Sequence, residues 1–129
     1  MTSPVVAVTT DATPLEVAAV LHRHGFTTVP VIDRNGLLVG LIGEAETARF
    51  FVAEARSANT SRAGSAGRLM RTSAEFVRPD TTVADAATTM IDSAERCLPV
   101  VSDGRMLGII SWRDVLRNVL AATNHPQRR

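Results

Sequence analysis

The chain has 129 residues, enough for one ordinary domain or for two small units sharing a core. Its formal net charge is +1, with 45% hydrophobic and 21% charged residues, which gives no general pull toward nucleic acid or an anionic membrane. All 14 basic residues are Arg, so a Schiff-base lysine and a phosphate-loop lysine are excluded, and a single cysteine, Cys97, excludes an internal disulfide and a cysteine-rich metal site. Met1–Thr10 lacks the basic start and long apolar run of a signal peptide, and the longest uncharged apolar run, near residues 35–43, is far short of the ~20 residues that span a bilayer. A soluble, cytoplasmic protein is the expectation.

In chain order the elements are a short strand at Val5–Val8, a helix at Pro14–His24, strands at Val29–Ile32 and Leu38–Ile42 around the turn Asp33-Arg34-Asn35-Gly36, and a helix at Glu44–Ala55. Pro14 suits a first helical turn and Gly25 a helix stop. The order then recurs: strand Glu75–Val77, helix Val83–Ser93, strands Leu98–Val101 and Met106–Ile110 around Ser102-Asp103-Gly104-Arg105, and helix Trp112–Ala122. Asn-Gly and Asp-Gly favour tight hairpins because these residues tolerate positive φ.

The second set is a diverged copy of the first, about 69 residues on. Val29-Pro30-Val31-Ile32-Asp33 is echoed by Leu98-Pro99-Val100-Val101-Ser102, and Gly36-Leu37-Leu38-Val39-Gly40-Leu41-Ile42 by Gly104-Arg105-Met106-Leu107-Gly108-Ile109-Ile110. This predicts an α/β (α+β) protein of two β-α-β-β-α repeats at 1–55 and 68–122, with a linker at 56–67 and a frayed tail at 123–129. Ala66-Gly67-Arg68-Leu69-Met70 reads as a helical lead-in to the second copy; Met1 aligns with Met70, so the first copy lacks its equivalent in this sequence. One unit is too small to bury its apolar strands alone, so the two are expected to pack sheet to sheet with pseudo-twofold symmetry.

Repeated twice in this order, these segments resemble a tandem pair of CBS (cystathionine-β-synthase) domains, or Bateman module, over about residues 1–122. The telling stretches are Ala66-Gly67-Arg68-Leu69-Met70, Val77-Arg78-Pro79-Asp80-Thr81-Thr82-Val83, Leu98-Pro99-Val100-Val101 and Gly108-Ile109-Ile110-Ser111-Trp112-Arg113-Asp114. The resemblance implies a regulatory module, not an enzyme. It would bind AMP, ADP, ATP or S-adenosylmethionine between its repeats, signal through the shape of a homodimer, and act on an effector protein the sequence does not name. No resident cofactor or metal is expected.

By the same resemblance, Asp114 would hold ribose, Ser111 phosphate, and Arg96, Cys97, Leu98, Pro99 and Val77 would line the adenine side; Arg113 or Arg96 could add positive charge for the phosphate. Ser-x-x-Asp ahead of a helix is also a capping arrangement, and the two roles are compatible. The first repeat keeps the complementary half of the pattern. Gly25, Phe26, Thr27 and Pro30 fit the adenine-side segment, whereas Gly43 and Glu46 replace the hydroxyl residue and the Asp, which makes this a degenerate second site. In the second repeat Glu95 stands where an apolar residue is usual. The alternative function is a ligand-free dimerisation or interaction module. His22 and His24, two apart on a helix, do not share a face as a metal pair would.

Overall fold

A computed structural model of the chain describes residues 6–56, 64–72 and 75–124. They form two compact units, residues 6–72 and 75–124. The first unit runs β1 (Val8–Thr9), α1 (Pro14–His24), β2 (Thr28–Ile32), β3 (Leu38–Gly43), α2 (Glu44–Arg56) and α3 (Ala66–Leu69). The second runs α4 (Val83–Ser93), β4 (Cys97–Ser102), β5 (Arg105–Ser111) and α5 (Trp112–Asn124). Among the described residues no helix is long and apolar enough to cross a membrane.

Local chemistry explains the helix boundaries. Thr13 Oγ1 accepts from the Glu16 N–H (3.1 Å) while Glu16 Oε1 accepts from the Thr13 N–H (2.8 Å), a reciprocal cap that starts α1 ahead of Pro14. Thr82 Oγ1 starts α4 by accepting from the Asp85 N–H (3.1 Å). Both helices stop in the left-handed region, at Gly25 (φ 66°) and Ala94 (φ 59°). The next N–H reaches back in each, Phe26 to the Leu21 carbonyl and Glu95 to the Met90 carbonyl, so each helix ends in the same hydrogen-bonded turn.

In the first unit β1 pairs parallel to β2 and β2 antiparallel to β3. In the second, β4 and β5 pair antiparallel. Both hairpins carry one unpaired residue at the same place: Val31 faces Gly40 and Ile32 faces Leu38, passing over Val39, and Val100 faces Gly108 and Val101 faces Met106, passing over Leu107. The turns differ. Asp103 and Gly104 both take positive φ, the two-residue hairpin turn, whereas Asp33 Oδ1 accepts from the Asn35 and Leu37 N–H groups to hold a longer one.

Strands β2 and β4 are buried on both faces, which accounts for their continuous apolar runs. Val29, Val31 and Ile42 pack with Val17 and Leu21 of α1, and Leu98 and Val100 pack with Met90 of α4 and Val115 of α5. The alternate residues Thr28, Pro30 and Leu41, and Cys97, Pro99 and Val101, are buried too.

Three sequence expectations change. The strand expected at Val5–Val8 is β1 at Val8–Thr9, with Val5 outside the described residues. The strand expected at Glu75–Val77 shrinks to a single bridge between Val77 and Val100. There Val77 N–H donates to Pro99 O (3.0 Å) and Val101 N–H donates to Val77 O (2.8 Å), a pairing that asks no N–H of Pro99. The Ala66–Met70 lead-in is helical, but its partners lie in the first repeat. Ala66 and Gly67 N–H groups donate to the Ala12 and Thr10 carbonyls, and Arg71 exchanges two backbone hydrogen bonds with Leu41 of β3. The linker residues 57–63 and the tail residues 125–129 lie outside the described residues.

The two helix stops make a matched test. A left-handed conformation costs an L-residue about 1–2 kcal/mol, partly offset by the extra chain entropy of glycine. Ala94→Gly is expected to stabilise the protein by about 0.5–1 kcal/mol and Gly25→Ala to destabilise it by about the same. Urea unfolding reads both, as opposite shifts of midpoint at unchanged slope.

Candidate functional site

In each repeat the second hairpin strand runs into a helix with no intervening loop: β5 ends at Ser111 and α5 begins at Trp112, and β3 ends at Gly43 and α2 begins at Glu44. The first N–H groups of such a helix need acceptors. The neighbouring strand's approach supplies one, since Trp112 N–H donates to Arg96 O (3.3 Å) and Glu44 N–H to Thr27 O (3.0 Å). A carboxylate three residues into the motif supplies the next.

In the second repeat that carboxylate is Asp114. Its Oδ2 accepts from the Ser111 N–H (2.8 Å) and the Ser111 hydroxyl (3.1 Å), and Ser111 Oγ lies 3.4 Å from the Asp114 N–H. Arg117 Nη1 stands 3.2 Å from Asp114 Oδ1. The Asp114 side chain is only 8% exposed, against 68% for Arg117. Burial alone would raise the Asp114 carboxyl. The backbone and hydroxyl hydrogen bonds from Ser111 work against that burial, and the group is held below the usual carboxylate range.

The capping arrangement is therefore formed, and it fixes both candidate ligand groups. Cys97 faces Ser111 across the β4–β5 ladder, so Arg96, Cys97, Ser111 and Asp114 come together at one end of this unit. Val77 and Pro99 lie along β4, and both are buried. Leu98 turns its side chain into the core beside Met90 and Val115, which leaves only its backbone toward a ligand. Arg96 and Arg113 are exposed, and Glu95 is half-buried with its N–H committed to the helix stop.

The first repeat solves the same problem differently. Glu46 Oε1 accepts from the Gly43 N–H at 2.6 Å, and a Cβ built on Gly43 would stand 3.0 Å from that same oxygen and 3.1 Å from the Thr27 carbonyl. The two departures from the motif are thus one device: the longer carboxylate folds back over a residue without a side chain. Glu46 is further approached by Arg71 Nε (3.6 Å) and Arg49 Nη1 (4.0 Å), and Thr47 Oγ1 donates to Gly43 O (2.9 Å). Gly25 is exposed at the helix stop, Phe26 packs on the core and stacks on His24 (centroids 5.2 Å apart), Thr27 contributes its carbonyl, and Pro30 is buried. His22 and His24 are exposed, and among the described residues no three His, Cys, Asp or Glu side chains are grouped to hold a metal.

Arg117 and Arg49 went unnoticed in the sequence, although each sits three residues after its carboxylate, a spacing that places both on one helix face. Arg71 had no local signal, since it reaches Glu46 from a distant segment.

Two outcomes follow. Gly43→Ser is expected to destabilise by about 1 kcal/mol through crowding at Glu46, and adding Glu46→Asp to recover part of it. A double-mutant cycle in urea measures that coupling, and additive effects would contradict it. Because the folded Asp114 carboxyl is held below its unfolded value of about 3.9, its stabilisation is complete above that value and is lost as pH falls through the folded one. Unfolding curves of wild type and Asp114→Asn should therefore differ most above about pH 5 and converge in acid.

The CBS domain family model matches residues 1–52 and 66–121. A CBS domain-containing protein of Bacillus subtilis, YhcV, is 26% identical over 94% of this chain and 83% of its own. A 17.7 kDa protein of Acidianus ambivalens is 29% identical over 92% of this chain and 70% of its own. Among solved structures, CBSX2 in complex with AMP is similar at a TM-score of 0.81 and 27% identity, covering 93% of this chain and 90% of that one. The CBS-pair protein CBSX2 from Arabidopsis thaliana is similar at 0.79 and 25%, over 94% and 89%. The chain belongs to the CBS-domain family and carries two CBS repeats.

Proposed function

We propose that the protein is a regulatory module that takes an adenosine-containing ligand at the Ser111–Asp114 end of its second repeat. The observation that carries this reading is the pairing of a carboxylate and a hydroxyl, held 3.1 Å apart, at the junction of β5 and α5. A carboxylate has lone pairs to accept both hydroxyls of a ribose diol, and the amino end of a 13-residue helix favours a phosphate beside Ser111. Exposed Arg113 and Arg96 would add charge for that phosphate. The buried strand residues Val77, Cys97 and Pro99, with the Leu98 backbone, would form the apolar adenine side. The AMP complex of CBSX2 supports the ligand class, which includes AMP, ADP, ATP and S-adenosylmethionine. The first repeat, its carboxylate folded back on Gly43, would be silent.

In this reading the protein works in the cytoplasm as a homodimer whose shape reports the ligand to an effector protein. It makes no bond and breaks none. A second reading, a ligand-free dimerisation module, is favoured by two observations: Asp114 is mostly buried and already serves as a cap, and Leu116 and Leu120 on α5 are each 59% exposed, four residues apart on one helix face.

Calorimetric titration with AMP, ATP and S-adenosylmethionine separates the two. Wild type is expected to bind at least one of them, and Asp114→Ala, checked for folding by circular dichroism, to bind it at least about tenfold more weakly, the worth of one charge-assisted hydrogen bond. No binding of any of the three at millimolar concentration would leave the ligand-free module as the answer.

A further inference from the structure

We infer that Arg117 is an internal competitor for the ligand at Asp114, a residue that sets affinity by guarding the carboxylate. This rests on the adenosine reading of the site. Asp114 Oδ2 already accepts twice from Ser111, and a ribose hydroxyl that donates to Oδ1 meets the Arg117 guanidinium, which stands 3.2 Å from that oxygen.

The arrangement recurs within the chain. Arg49 stands three residues after Glu46 and approaches its Oε2 at 4.0 Å, as Arg117 stands three residues after Asp114. The cap chemistry has diverged between the repeats, from Ser and Asp to Gly and Glu, yet the arginine one turn on is present in both. The helix does not need it for its start, because the cap is complete without it.

The guard is weak by construction. Arg117 is 68% exposed, so it leaves the carboxylate for water at little cost, and an exposed ion pair changes an equilibrium constant by at most about fivefold. Screening by salt weakens it further. A neutral diol ligand should therefore bind more tightly as ionic strength rises, opposite to the trend for a charged ligand drawn in by arginines.

The test uses adenosine, which carries the diol and no phosphate, titrated calorimetrically into wild type, Arg117→Gln and Asp114→Asn at low and high ionic strength. Arg117→Gln is expected to bind about two- to fivefold more tightly than wild type at low salt, and wild type to converge on it at high salt. If wild type binds and loses binding in Asp114→Asn, but Arg117→Gln binds no more tightly than wild type, the competitor role is overturned while the ligand site stands. If neither wild type nor Arg117→Gln binds adenosine, the guard is overturned while binding of a phosphate-bearing ligand is judged by the AMP and ATP titrations; if Asp114→Asn binds adenosine as wild type does, the ribose role of Asp114 is overturned and the guard with it.

Discussion

A strand that turns into a helix without a loop leaves the helix's first N–H groups facing into the protein, and each must be given an acceptor. This constraint organises both repeats. The carbonyl of Thr27 or Arg96 takes one N–H, and a carboxylate in the first turn takes the N–H of the last strand residue. The hairpin and the helix are locked at that junction, which lets Val115 of α5 reach Leu98 and Met90 in the core. A polar, carboxylate-bearing corner is therefore obligatory at the end of each hairpin whether or not a ligand is bound.

The junction also explains why scaffold and function can diverge between copies. Ser111 with Asp114 and Gly43 with Glu46 satisfy the same donors, so either pair preserves the fold. They differ in what they offer outward. The first presents a hydroxyl beside a short carboxylate; the second has no hydroxyl, and its longer carboxylate fills the space where that side chain would stand. Coupled change of both residues keeps these hydrogen bonds while it changes the surface a ligand would meet. The two repeats thus share the hydrogen bonding of this junction and differ in its chemistry.

Most of the fold was readable in the sequence because its determinants are local. The helices Pro14–His24 and Val83–Ser93 lie where their caps and stops place them, and the hairpin strands extend the apolar runs by a residue at one or both ends. The failures are non-local. Glu75–Val77 has strand composition, but whether it forms a ladder depends on how much of β4 lies opposite, and only Val77 finds a partner. The lead-in at Ala66–Met70 declares a helix but not which repeat it will pack on. At the site, the sequence displayed Gly43 and Glu46 as two separate losses. Their coupling is visible only when the side chain is seen folded back onto the backbone N–H, and Arg71 enters from a segment no periodicity connects to it.

We propose that one corner serves as cap and ligand contact in the second repeat and as cap alone in the first. Amide chemical-shift mapping during an AMP titration tests it most directly. The Ser111 and Asp114 amides are expected to move with a common saturating curve while the Gly43 and Glu46 amides stay in place. Equal movement of both corners, or movement confined to Gly43 and Glu46, would contradict it.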